Sequence, residues 1–215
     1  HNIETLLNEN FGSLPLNKAQ LPHLTHPAEA ATEKKYRIIN DKEGIQGAIR
    51  IASHFPGIHH PHFTKAQVLN TLFGGYFGSR LMSNIREDKG YTYGIHSYMQ
   101  NHVQQSAWMI STEAGKEVCE ATITEVYKEM QVLREKTVSE EELLLVKNFL
   151  IGTILGDLDG PFHIIGRWKN IILNELAEDY FYTSVAGIKN VTTKEIQELA
   201  NQYLLPEKFY ELVVV

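Results

Sequence analysis

Between Leu69 and Gly94 an apolar run stops at the Gly74–Gly75 pair, restarts behind Gly78 and Ser79, and stops again at Gly90. No other stretch restricts the folding of this chain as much. Glycines that close helices, a small polar residue that opens one and β-rich residues that follow predict a helix over 63–73, a turn, a second helix over 79–89 started by Ser79, and then a strand. Arg86, in the last turn of the second helix, precedes Tyr93 by seven residues. A guanidinium and a phenol are thereby expected to project from neighbouring elements toward one point, where the pair can hold a carbonyl oxygen.

Around this stretch the elements alternate in pairs. Residues 2–11 read as a helix with Ile3, Leu6, Leu7 and Phe11 on one face, ended by Gly12 and Pro15. Pro15, Pro22 and Pro27, set among small and polar residues, then read as a linker to about residue 32. Residues 35–40 and 45–54 are β-rich and separated by Asp41–Gly44, which reads as a hairpin turn. Residues 91–99 and 105–113 form a second expected strand pair, giving the order ββααββ. The remainder is helical from about Glu117, with capping boxes at Ser139/Glu142 and Thr192/Glu195. Gly156–Pro161 breaks this pattern, Asp157 and Asp159 marking a helix-ending turn, and Phe162, Ile165, Trp168 and Ile172 resume it at helical spacing. Residues 209–215 are a nearly continuous apolar strand, expected to be buried on both sides. Strand pairs with short turns and adjacent helices predict an α+β domain, its largely antiparallel sheet covered on one face by helices.

With 215 residues the chain can bury a full core as one domain with at most an appendage. It opens on His rather than Met, as expected of a fragment or processed product, so the compartment stays open. The net charge is -6 and acids and bases are mixed along the chain, with no basic block to follow a phosphate backbone; nucleic acid is not an expected partner. No run approaches the ~18 apolar residues of a membrane-spanning helix. Cys119 is the only cysteine, which excludes an internal disulfide and a cysteine zinc cage. It recurs in step with Ile123, Val126, Met130 and Leu133, the apolar seam of a helix, and is expected in the core.

The glycine pair, Ser-Arg-Leu at 79–81, Arg86-Glu87 and Gly90-x-x-Tyr93 together resemble the second half of the pitrilysin/insulinase family of zinc metallopeptidases. In that family two similar halves face each other; the first usually carries an inverted zinc motif, H-x-x-E-H, which does not occur here. The resemblance implies the LuxS/mitochondrial-processing-peptidase-like metallohydrolase fold. It also implies a division into 1–32, the last helix of the preceding half plus a linker, and 33–215, the non-zinc domain. Zinc is then held by the partner half and not by this chain, which closes a chamber, binds a peptide and is inactive alone. The partners implied are a zinc-bearing half or catalytic subunit and the peptide substrate. Arg86 and Tyr93 are the implied catalytic donors, and Gly74, Gly75 and Tyr91 the substrate-contacting residues. A catalytically silent structural or substrate-presenting subunit is the alternative.

The chemistry suits the residues. Hydrolysis by zinc passes through an oxyanion, and one donor already in place lowers the barrier by roughly 3–4 kcal/mol. Guanidinium and phenol both donate without competing as a base. Tyr91, where relatives tend to have an aliphatic residue, is expected to share a strand face with Tyr93, so either can be the donor, and the assignment to Tyr93 rests on its spacing from Arg86. Read singly, Arg86 is a solvated cation at a helix C-terminus and Tyr93 a packing residue. The glycines are expected to supply positive φ and close approach, and Arg80 to pair with a carboxylate or backbone carbonyls. His59, His60 and His62 form the only histidine cluster; adjacent histidines on one loop rarely converge on an ion without a fourth ligand. His96 and His163 stand alone, and a hydrogen-bonded structural role is expected of each.

Overall fold

A computed structural model describes residues 2–15, 31–102 and 106–215. The chain divides into two compact units, residues 1–32 and 33–215. In the first, helix α1 (Ile3–Phe11) is capped by Asn2, whose side chain accepts from the Glu4 N–H, and none of its residues is buried. Most of the linker expected over 15–32 lies outside the described residues.

The second unit is built on a five-stranded sheet of β1 (Lys35–Ile38), β2 (Gln46–Phe55), β3 (Ile95–Asn101), β4 (Ser106–Gly115) and β5 (Tyr210–Val214). The spatial order is β1-β5-β2-β4-β3; β1 and β5 are parallel and every other pairing is antiparallel. Here the expected hairpin fails. The Asp41–Gly44 turn forms, with Gly44 N–H donating to Asp41 O, but the chain's last strand lies between β1 and β2. The Asn40 and Asp41 N–H groups both donate to Val215 O, so the turn wraps the end of β5 rather than joining two neighbours.

In β2, Gly47, Ile49, Ile51, Ser53 and Phe55 are buried at every second position, the mark of a sheet covered on one face. They meet Phe63 and Leu69 of α2 (Phe63–Asn70), Ile123, Val126 and Met130 of α3 (Cys119–Glu135), Leu143 and Val146 of α4 (Glu140–Gly156), and Ile196 and Leu199 of α7 (Thr193–Tyr203) in one core. Each such aliphatic or aromatic side chain stabilises the fold by about 1.5–3 kcal/mol. Strand β5 is buried on this face only, through Glu211 and Val213. A carboxylate there needs partners: Arg37 at 2.6 Å, Lys35 at 3.3 Å and the Tyr127 hydroxyl at 2.9 Å supply them. Cys119 is in the core as expected, its thiol donating weakly to Gly115 O at 3.4 Å.

Thr192 and Glu195 complete a capping box. At α4 the box is half made: Ser139 Oγ accepts the Glu142 N–H at 3.1 Å, but the Glu142 carboxylate reaches Arg80 instead. Helices α5 (Pro161–Leu173) and α6 (Tyr180–Asn190) finish the unit; no residue of α5 is buried. The Gly156–Pro161 break is a turn, with Asp159 N–H donating to Gly156 O.

Candidate active-site face

The two helices of the glycine-rich stretch are not regular. α2 runs into a π-helical turn, Thr71–Gly75, and the second helix is π-helical over Met82–Asp88, a widened geometry often found at functional sites. Gly74 shows why a glycine is required: a Cβ there would lie 2.7 Å from Ser97 Cβ and 2.9 Å from Ser97 N. Close approach is therefore confirmed for Gly74, but positive φ is not. Of the glycines in this stretch only Gly90, at φ 65°, has it, where the chain leaves the second helix.

A buried polar triad fixes this approach. Ser97 Oγ donates to Asn70 Oδ1 at 2.6 Å, the Trp108 indole N–H donates to Ser97 Oγ at 2.8 Å, and Asn70 Nδ2 donates to Ser97 O at 3.1 Å. Ser79 differs from expectation. Its hydroxyl is buried without a partner, so it caps nothing through its side chain; only its carbonyl starts the helix, accepting from the Ser83 N–H. The tight turn in which Ser79 N–H donates to Tyr76 O draws the side chain inward. Arg80 pairs with both Glu142 oxygens at 2.8 Å, the carboxylate partner expected of it. Tyr76 packs on Phe149 at 4.9 Å, and burial together with Glu142 raises its phenol above the ordinary range.

Strand β3 begins at Ile95, so Tyr91 and Tyr93 stand on a loop and do not share a strand face. The cause is Thr92. Its Oγ1 accepts the Gly94 N–H at 3.1 Å, donates to Glu113 O at 2.7 Å and touches Thr112 Oγ1 at 2.8 Å. These local bonds compete with the strand ladder. The Tyr91 N–H donates to Ile85 O and the Ile95 N–H to Met82 Sδ, so the loop is tied at both ends. Tyr91 packs against the core, whereas Tyr93 is 93% exposed. Arg86, in the last turn of the π-helix, lies with its guanidinium 4.8 Å from the Phe77 ring centre and 3.8 Å from Glu87. Gly75, which ends the preceding π-helical turn, is exposed, and Gly74 is buried.

Tyr93 stands on a polar recess of about 450 Å³ on the open face of the sheet, walled also by Gln46, Arg50, His96, Ser111 and Glu113. No motif in the sequence singles out Arg50. The period-two alternation of β2, which sets it opposite Ile49 and Ile51, was the signal available. A larger cleft of about 720 Å³ lies between the end of α4, α5 and α6 and is lined mainly by apolar side chains such as Phe162, Trp168 and Phe181. It shares no residue with the glycine-rich stretch. His60 and His62 pack ring to ring at 4.8 Å, and His62 Nδ1 bonds the Tyr203 hydroxyl at 2.9 Å. Burial, then His62, holds His60 below the usual imidazole range. Among the described residues, no three His, Cys, Asp or Glu side chains converge as a metal ion would require. His163 bonds Asp159 O at 2.8 Å.

Mixed-sheet α+β domains of this kind are known in solved structures. The fold matches a Helicobacter pylori protease with TM-score 0.86 and 13% identity, over 99% of this chain and 52% of that one. It matches the peptidase M16 inactive domain from Pseudomonas fluorescens with TM-score 0.76 and 22% identity, over 88% and 47%. In sequence, the chain is 30% identical to an uncharacterized zinc protease of Rickettsia felis over 157 residues, 66% of this chain and 38% of the relative. It is 25% identical to the uncharacterized zinc protease YmxG of Bacillus subtilis over 77% and 42%. The chain thus spans less than half the length of either curated relative. Residues 1–150 match the Peptidase M16 inactive domain family, and the chain belongs to that family.

Proposed function

We propose that this domain is the non-zinc half of a two-part zinc endopeptidase, closing the chamber, binding an extended peptide and lending Arg86 and Tyr93 to the transition state. The observation that carries this reading is the presentation of Tyr93: an exposed phenol on a loop held at both ends, at the wall of a polar recess. A donor placed before the reaction costs no reorganisation when the oxyanion forms. The zinc of this reading is held by the other half, where it supplies an activated water and a Lewis acid. Gly74 and Gly75 set the second helix and its Arg86 against the peptide, and Tyr91 anchors the Tyr93 loop to the core. The isolated chain is inactive; peptide cleavage by the pure chain in chelator would sink the proposal.

The test is zinc-dependent cleavage of a mixed peptide pool by the intact parent, or by this chain with its zinc-bearing partner, comparing wild type with Tyr93→Phe. The expected loss in kcat lies between about tenfold and a thousandfold with KM little changed. Full activity in Tyr93→Phe reduces the phenol to a surface residue. A second reading, a silent structural or substrate-presenting subunit, draws on the engagement of Arg86 with Phe77 and Glu87. It predicts no cleavage by the wild-type assembly.

A further inference from the structure

The recess beside Tyr93 has a composition that selects its ligand. The cross-strand register sets Arg50, Ser111 and His96 in one row across β2, β4 and β3, with Ala48 and Glu113 paired in the next row. Ser111 and Gly94 are small, so the floor is low, while Arg50, Glu113, His96, Gln46 and Tyr93 form the walls. Arg50 is anchored through Nη1 to Ile49 O at 2.9 Å and Thr112 O at 3.2 Å, which leaves Nε and Nη2 as donors. Among the described residues Glu113 has no cation within 4.0 Å, so the two opposite charges of the recess are not spent on each other.

One anchored cation and one unpaired anion on a small polar floor fit neither an acidic nor a basic side chain. Glu113 opposes the first and Arg50 the second. They do fit a neutral group that offers an acceptor and a donor close together, which is a peptide unit. The geometry points to the recess as a main-chain subsite for an extended peptide, Arg50 donating to a peptide carbonyl and Glu113 accepting a peptide N–H next to Tyr93. This deepens the proposed function and rests on it for the nature of the ligand. Affinity then comes from the backbone, and binding tolerates many side chains.

The test is binding to this chain, with no zinc half present, of fluorescent capped hexapeptides that are neutral, acidic or basic, and of the neutral one N-methylated at every residue. Affinities within about threefold across the three charges are expected, with a loss of about tenfold or more on N-methylation, as for a hydrogen bond to a charged group. In Glu113→Ala the unmethylated peptide weakens by the same factor and methylation has no further effect; Arg50→Lys weakens all the unmethylated peptides alike. Tighter binding of the acidic peptide would overturn the inference in favour of an anion site at Arg50 and His96. Methylation losses that persist unchanged in Glu113→Ala, or no binding by the wild type, also overturn it. Because no cleavage is measured, coupling between Glu113 and the peptide N–H stands or falls separately from the kinetic effect of Tyr93→Phe.

Discussion

Replacing Gly74 by Ala tests whether the π-helical turn is held against β3 as tightly as the geometry implies. The added methyl meets Ser97 Cβ at 2.7 Å, Ser97 N at 2.9 Å and Leu81 Cδ1 at 2.9 Å. Leu81 can turn; Ser97 cannot, because Asn70 and Trp108 hold its hydroxyl and the β4 ladder holds its backbone. Overpacking in a core costs about 1–3 kcal/mol, and a backbone obstacle puts this site in the upper half, about 2–3 kcal/mol. For a domain of this size each kcal/mol lowers Tm by about 2–4 °C, so a fall of roughly 4–12 °C is expected in thermal unfolding followed by circular dichroism. Gly75→Ala is the comparison: its methyl meets Asn70 O and Thr71 at 3.3 Å, a tight but milder contact at an exposed position, so a clearly smaller fall in Tm than for Gly74→Ala is expected. A Gly74→Ala protein melting within 1 °C of wild type would refute the close-approach argument.

Other expectations follow from the same contacts. Burial raises the Glu211 carboxyl, but Arg37, Tyr127 and Lys35 outweigh it and leave the pKa below the usual range. A depressed carboxyl contributes stability above its unfolded pKa and loses it as the pH falls through the folded value. Glu211→Gln should therefore be destabilised by about 2–4 kcal/mol at pH 7 in urea unfolding, less than the full cost of breaking a buried pair because Arg37 remains partly hydrated. Its difference from wild type should vanish as the pH falls well below 4; a constant difference would rule out the linkage. Ser97→Ala orphans the Trp108 indole N–H and Asn70 Oδ1 while leaving the Asn70 amide on the Ser97 carbonyl, costing about 1–3 kcal/mol and shifting Trp108 emission; unchanged fluorescence and stability would dissolve the triad. Burial raises the Cys119 thiol, then Glu120 adds to it, so a thiol reagent should react at its unfolding rate, and fast labelling of the native chain would contradict the core assignment.

Local signals were legible and long-range ones were not. Glycine stops, the Thr192 capping box, the Cys119 seam and the pairing of Arg80 with a carboxylate rest on near neighbours or on strong chemical preference, and each could be read from the chain. The half-made box at Ser139 could not, because Glu142 has two suitors and only the fold brings Arg80 to it. The tyrosines at 91 and 93 carry β propensity that misplaced the start of β3, since the hydroxyl of Thr92 binds its own loop. Asn70, Ser97 and Trp108 are unremarkable as letters and meet only in the core. Arg50 and Glu113 lie far apart in the chain, and only the strand register sets them at one recess.

Strand β5 has a consequence for assembly of the domain. Arg37 and Glu211 are 174 positions apart in the chain, yet their strands are neighbours and β2 needs β5 on its other edge. As the chain leaves the ribosome, β1 and β2 wait with bare edges while the helices between are made, and the sheet closes only when residues 210–214 emerge. Such late, distant pairing slows folding and prolongs exposure of sticky strand edges. Loss of those few residues would cost this domain its middle, not its tail.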